Sequence, residues 1–310
     1  MPHNIQFHIE CGGAAGMGRV RRSLVLAQAL WAKDATCFIN FTDPAAHDLC
    51  YDFGFFPEEA PQLSDIDLNI IDAGTAYRDE CLHTYDTKTC VIDDIGIYPC
   101  KADILINPNL YADTLAYSGY DIKYILDAKD HHLIDPSFFS AGGSAQVKDQ
   151  ILVSFGGTDV GQFAGPIIRA LMAKTDLPII WAKANKEPLP SMLTKWISRT
   201  LQITVMEMAD MPVLLQKSSL YIGAAGTTSL EAVAAGVKIT VCAVADDQQQ
   251  NVKCLSGMGY AALDDFNPDL MTTLGLNVIN DTHINTPITK DGPYLIADEI
   301  IKYLKGEATS

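Results

Sequence analysis

The sequence has no CxxC pair, no uncharged apolar run of about 18 residues and no surplus of basic side chains. Its eight cysteines are scattered among apolar stretches, which argues against a zinc site or disulfide framework and for reduced core residues. Without a long apolar run no helix is expected to cross a bilayer. The N-terminus also lacks the basic and apolar regions of a signal peptide, so a cytoplasmic protein is expected. Lys and Arg number 22 against 38 Asp and Glu, a formal net charge of −16 that repels a phosphodiester backbone and argues against nucleic acid as a partner. Neither a GxxxxGK[ST] loop nor a GxGxxG turn followed by an acid about 20 residues on is present, which weighs against ATP and dinucleotides. No grouping of His, Cys or carboxylates has metal-ligand spacing, so a site with neither metal nor cofactor is expected. His8 reads as a buried mid-strand histidine, and His131 and His132 read as solvated loop residues.

What is present is a regular alternation. Apolar runs at 5–10, 36–41, 68–72, 89–94, 102–107 and 123–126 read as strands, with helices or turns around 17–32, 43–53 and 77–86. The small, polar segment 140–149 reads as a linker. A second series comes next, with strands at 150–155, 177–182, 202–207, 218–224 and 238–244. Helices are expected between and after them at 161–174, 188–199, 210–216, 227–235 and 246–257. The pattern predicts α/β architecture with two doubly wound parallel sheets, one unit over 1–146 and a second over 147–290. After an irregular stretch, a last helix is expected within 291–310, packing back on the first unit.

Open parallel sheets bind ligands beyond the carboxyl ends of their strands. In the first series those ends carry Glu10, Asp72 and the pair Asp93–Asp94; in the second they carry SFGGTD, GAAGTTSLEA and VADDQQQN. Glycine turns admit an anion to backbone N–H groups, and a helix beginning at Thr227 or Thr228 presents its positive end to a diphosphate. Glu231, placed on the first turn of that helix, is suited to accept hydrogen bonds from ribose hydroxyls. The alternative for each loop is an ordinary tight turn, with Glu231 interacting only with the helix dipole.

The ordered series GMGRVRRSLVLAQAL, IIDAG, VIDDI, ILINPNL, DPSFF, VSFGGTD, IGAAGTTSLEAVAAG and ADDQQQN resembles the UDP-sugar hydrolases of pseudaminic acid biosynthesis and the related spore-coat polysaccharide proteins, over nearly the whole chain. The resemblance implies a GT-B fold of two facing Rossmann-like domains, as in MurG, with a nucleotide sugar, most simply a UDP-sugar, as substrate. It implies that Gly156, Gly157 and Thr158 line the phosphate side, that Gly226, Thr227 and Thr228 hold the diphosphate, that Glu231 holds the ribose, and that Gly16, Gly18 and Gln248 lie at the substrate.

The chain also departs from the family. Where relatives read G-x-G-H it reads GMGR, so Arg19 occupies the place of a histidine expected to activate water, and a guanidinium cannot be that base. The family's acidic-histidine strand end appears as Asp72–Ala73 and its Asn-Gln pair as Asp247–Gln248. Arg19 reads either as a helix-surface residue beside Arg21 and Arg22 or as a side chain facing a ligand phosphate or carboxylate. The base is then sought among Glu10, Asp72, Asp94 and Asp247. The expected reaction is cleavage of the anomeric C–O bond with release of nucleotide. Glycosyl transfer to a glycan or protein acceptor and non-catalytic nucleotide-sugar binding are the alternatives.

Overall fold

The computed structural model describes residues 2–12, 17–56, 65–127, 130–139, 148–156, 163–183, 202–207, 210–279 and 288–307. The chain divides into two compact units, Met1–Asp135 with Thr289–Ser310, and Pro136–Ile288.

The first unit is built on a six-stranded parallel sheet of β1 (Asn4–Ile9), β2 (Thr36–Phe41), β3 (Leu68–Asp72), β4 (Lys88–Ile92), β5 (Lys101–Ile106) and β6 (Asp121–Leu126), in the order β2-β1-β3-β4-β5-β6. In β1 the side chains of Ile5, Phe7 and Ile9 and the alternate Gln6 and His8 are all buried, as expected of a strand covered on both faces. Helix α1 (Gly18–Trp31) buries Val20, Leu24, Val25 and Leu26, while α2 (His47–Asp52) and α3 (Thr75–Thr84) come after β2 and β3. After β1 the chain turns to β2 on one side and then crosses to β3 on the other. The topological switch point therefore lies between β1 and β3, and there the carboxyl ends of neighbouring strands leave a crevice.

The second unit carries β7 (Gln150–Ser154), β8 (Ile179–Lys183), β9 (Ile203–Glu207), β10 (Ser218–Ala224), β11 (Lys238–Cys242) and β12 (Ala261–Leu263), in the order β12-β11-β10-β7-β8-β9, again all parallel. Its described helices are α4 (Ala164–Met172), α5 (Met211–Lys217), α6 (Thr227–Ala234), α7 (Gln249–Gly257) and α8 (Pro268–Val278). Here the switch point falls between β7 and β10.

Strand β12 and helix α8 occupy part of the stretch read from the sequence as irregular. The start of α8 has a clear local cause: Asn267 Oδ1 accepts a hydrogen bond from Leu270 N at 3.0 Å, and Pro268 occupies the first turn, where its missing N–H costs nothing. The expected helix at 188–199 lies outside the described residues, as does most of the 140–149 linker.

Helix α9 (Gly292–Lys305) belongs to the first unit. Its Ile296, Ala297, Ile300 and Ile301 share one apolar core with Leu24, Leu26 and Leu30 of α1, and Tyr303 Oη donates to Asp103 Oδ1 at 2.8 Å. All eight cysteines are free thiols, and burial pushes Cys37 up to about 12.

Candidate functional site

At the switch point of the first unit, the end of β1, the end of β3 and the first two turns of α1 bring charged groups together. Glu10 comes directly after β1. Its backbone N donates to Asp72 O at 3.0 Å, and its Oε2 accepts from Gly74 N at 2.6 Å and from Arg19 Nη1 at 2.8 Å. Gly74 lets the carboxylate come close: an added Cβ would lie 2.9 Å from Glu10 Oε2, so the side chain would have to shift. Among the described residues no donor reaches the other oxygen, Oε1, and the Glu10 side chain is 35% exposed.

The other two strand-end carboxylates are paired with Arg22, Asp72 through both oxygens and Asp94 through Oδ1 alone. Asp72 is fully buried; Arg22 Nε donates to its Oδ2 at 2.7 Å, Arg22 Nη2 to its Oδ1 at 2.5 Å, and Ser23 Oγ to Oδ2 at 3.0 Å. The third nitrogen of Arg22, Nη1, donates to Asp94 Oδ1 at 2.5 Å, and Asn109 Nδ2 reaches the same oxygen at 2.9 Å. Burial opposes charge on Arg22, but Asp72 and Asp94 overcome it and raise its pKa well above the ordinary value. Burial likewise works to raise Asp94, and the guanidinium of Arg22 with help from Asn109 and Arg19 holds it below the usual carboxylate range. A buried pair of this kind costs about 3–5 kcal/mol to break from one side, because the partner is left charged and unpaired.

These contacts sort the sequence candidates. Arg19, 26% exposed, turns toward Glu10, with its Nε also 3.9 Å from Asp72. Part of its charge is thus met within the protein, by Glu10. Asp72 and Asp94 come to the same place as Glu10 but are locked by Arg22. Gly18 is the first residue of α1, and Gly16 lies outside the described residues. The Arg22 side chain, read from the sequence with a surface run of arginines, is buried. Asp93, next to Asp94, turns elsewhere: it caps the turn at Ile95 and Gly96 and accepts from Tyr120 Oη at 2.6 Å.

The histidines are separated from this cluster by their contacts. His8 Nε2 is hydrogen-bonded to Asn69 Oδ1 at 2.8 Å, and burial lowers its pKa. His132 corrects the solvated-loop reading: it is buried, its Nδ1 lies 3.1 Å from Pro108 O, and the backbone of Gly292 packs against its own.

In the second unit, Gly156 lies just past β7 with φ +85°, a left-handed conformation that favours glycine. Gly226 lies just past β10 and is the N-cap of α6, where no side chain caps the helix. The two glycines thus flank the switch point, tied from below by Tyr221 Oη, which donates to Ser154 O at 2.9 Å. Thr227 and Thr228 are the first two residues of α6, the former exposed. Gln248 belongs to the same corner: its Oε1 accepts from Val244 N at 3.1 Å, and its Nε2 lies 3.5 Å from the position of a Cβ on Gly226. Glu231 is the fifth residue of α6, on the second turn rather than the first, and is buried. Asp247 has its backbone in the 3-10 turn Asp246–Gln248, while its side chain, like Gly157 and Thr158, lies outside the described residues.

No protein-family model matches the sequence, and no curated protein matches it. Solved structures do. The glycotransferase of kitacinnamycin is similar with a TM-score of 0.70 at 13% identity, covering 98% of this chain and 100% of that one. A UDP co-structure of MnaA from S. aureus has a TM-score of 0.69 at 12% identity, covering 99% and 98%. MurG of Acinetobacter baumannii has a TM-score of 0.54 at 14% identity, covering 97% and 100%. The fold is GT-B, as the sequence series implied. Among the described residues no helix is long and apolar enough to cross a membrane.

Proposed function

We propose that this protein is a UDP-sugar enzyme that breaks the anomeric C–O bond and releases UDP, with water as the incoming nucleophile. The observation that carries the reading is the pair of glycine turns, Gly156 and Gly226, on either side of the β7/β10 switch point, with the N-terminus of α6 free of a side-chain cap. Backbone N–H groups and the positive end of a helix suit a diphosphate there. The UDP held by MnaA supports the same choice of ligand.

Glu10 is proposed as the proton acceptor because its Oε1 takes no donor among the described residues and it lies outside the Arg22 pairs; Asp94 Oδ2 also takes none, but Arg22 holds Asp94 below the usual carboxylate range, which makes it the poorer base. In the proposed step an oxygen lone pair of water forms the new bond to the anomeric carbon, and the bond from that carbon to the β-phosphate oxygen breaks. UDP departs with the electron pair, and the water proton passes to Glu10. Arg19 orients the carboxylate and balances its charge. Thr227, Thr228 and Gln248 are proposed at the diphosphate and Glu231 at the ribose; the hydrolase resemblance supports the last.

Glycosyl transfer is the second reading, favoured by Arg19 in the place of the hydrolase histidine and by the glycosyltransferase-like neighbours. An acceptor hydroxyl would then take the place of water at Glu10. The test is incubation with UDP-, GDP- and CMP-sugars, with and without glycan acceptors, scored for free nucleotide. Release from a UDP-sugar alone is expected. Release that requires an acceptor moves the reaction to transfer, and no release from any of them overturns the proposal.

A further inference from the structure

We propose that Arg22 is a positioning residue that sets Glu10 through Asp72 and the turn after β3; this rests on the assignment of Glu10 as proton acceptor. The connection is continuous. Both oxygens of Asp72 are gripped by Arg22, at 2.7 and 2.5 Å. The carbonyl of the same Asp72 accepts the Glu10 backbone N–H at 3.0 Å, and two residues later Gly74 N donates to the Glu10 carboxylate at 2.6 Å. One residue, Asp72, thus joins the guanidinium to both the main chain and the side chain of Glu10.

The third nitrogen of Arg22 binds Asp94 Oδ1, so a single buried side chain pairs with two of the strand-end carboxylates and orients the third. Position 22 lies one helical turn beyond Arg19 on α1, which places both arginines toward the β1/β3 crevice. An apolar residue at this point would leave Asp72 and Asp94 without their cation, and a lysine would lack the fork; the planar guanidinium supplies three directed contacts.

The experiment compares Arg22→Lys, which keeps the charge but loses the fork, with the triple variant Arg22→Met, Asp72→Asn, Asp94→Asn, which removes the guanidinium together with both of its carboxylate partners and so leaves no ion unpaired. Both are read in the intact, ligand-free protein by amide hydrogen exchange at Gly74 and by the carboxyl-carbon NMR shift of Glu10, and then by nucleotide release from UDP-N-acetylglucosamine and the other UDP-sugars. Gly74 exchange at least about tenfold faster, a displaced Glu10 resonance, and kcat lowered about tenfold with little change in KM are expected. A fall in melting temperature with Gly74 exchange and the Glu10 resonance unchanged overturns the proposal and leaves Arg22 as a structural clamp. The two NMR readouts need no substrate, so failure of the UDP-sugar reading shows separately, as absent release by the unaltered protein.

Discussion

Glu10→Gln lowers nucleotide release from a UDP-sugar by about a hundred- to ten-thousand-fold while leaving UDP affinity within about twofold. The size comes from the role: an amide cannot take the proton of an incoming hydroxyl, yet it fills the same space. The fold is expected to tolerate the change, because the side chain is 35% exposed and the main-chain bond to Asp72 O does not involve it. The selectivity comes from chemistry: the diphosphate is assigned to backbone N–H groups at the glycine turns, which the change at Glu10 leaves intact. Steady-state release assays and calorimetric UDP titration of the same preparation check both halves. Equal release by Glu10→Gln and the unaltered protein would remove Glu10 from the reaction, and a parallel loss of UDP affinity would make it a binding residue instead.

The second large effect is expected at Gly226. Its φ of −95° is open to any residue, and the nearest atom to an added Cβ is Gln248 Nε2 at 3.5 Å, an ordinary contact. Gly226→Ala should therefore fold with an unchanged melting temperature. The added methyl nevertheless stands at the first N–H groups of α6, where a phosphate must approach the backbone closely. UDP affinity is expected to fall about tenfold to a hundredfold, equivalent to about 1.4–2.7 kcal/mol, measured by calorimetry. Unaltered affinity would place the diphosphate elsewhere.

Much of this arrangement was legible in the sequence because parallel sheets obey a simple rule. Strands buried on both faces read as continuous apolar runs, and the residues just after each run lie at the ligand end of the sheet. Glu10, Asp72, Asp94, Gly156 and Gly226 all stand at such positions. What the sequence did not separate was which acid stays available, since that depends on partners far along the chain: Arg22 is 50 residues from Asp72 and 72 from Asp94.

Arg22 itself was hidden by its neighbours. In GRVRRSLVL three arginines in four positions read as a solvated helix face, and only the rotation of α1 against the sheet turns the third inward. A usable signal was present in the spacing, with Arg19 and Arg22 three apart at the start of a helix whose next turns are apolar, opposite acids that need partners. Helix α8 escaped the sequence pattern for a different reason. Its Gly275 weakens the helical signal, yet that glycine is needed where the helix meets the sheet, with a Cβ there lying 2.9 Å from Leu220 Cδ2.

The most direct test of anomeric C–O cleavage is the reaction of the processed UDP-sugar in water enriched in oxygen-18, with mass spectrometry of both products. The expected result is label in the free sugar, at the anomeric oxygen, with the released UDP unlabelled. Label in the UDP phosphate instead would show attack at phosphorus and contradict the proposed chemistry at Glu10.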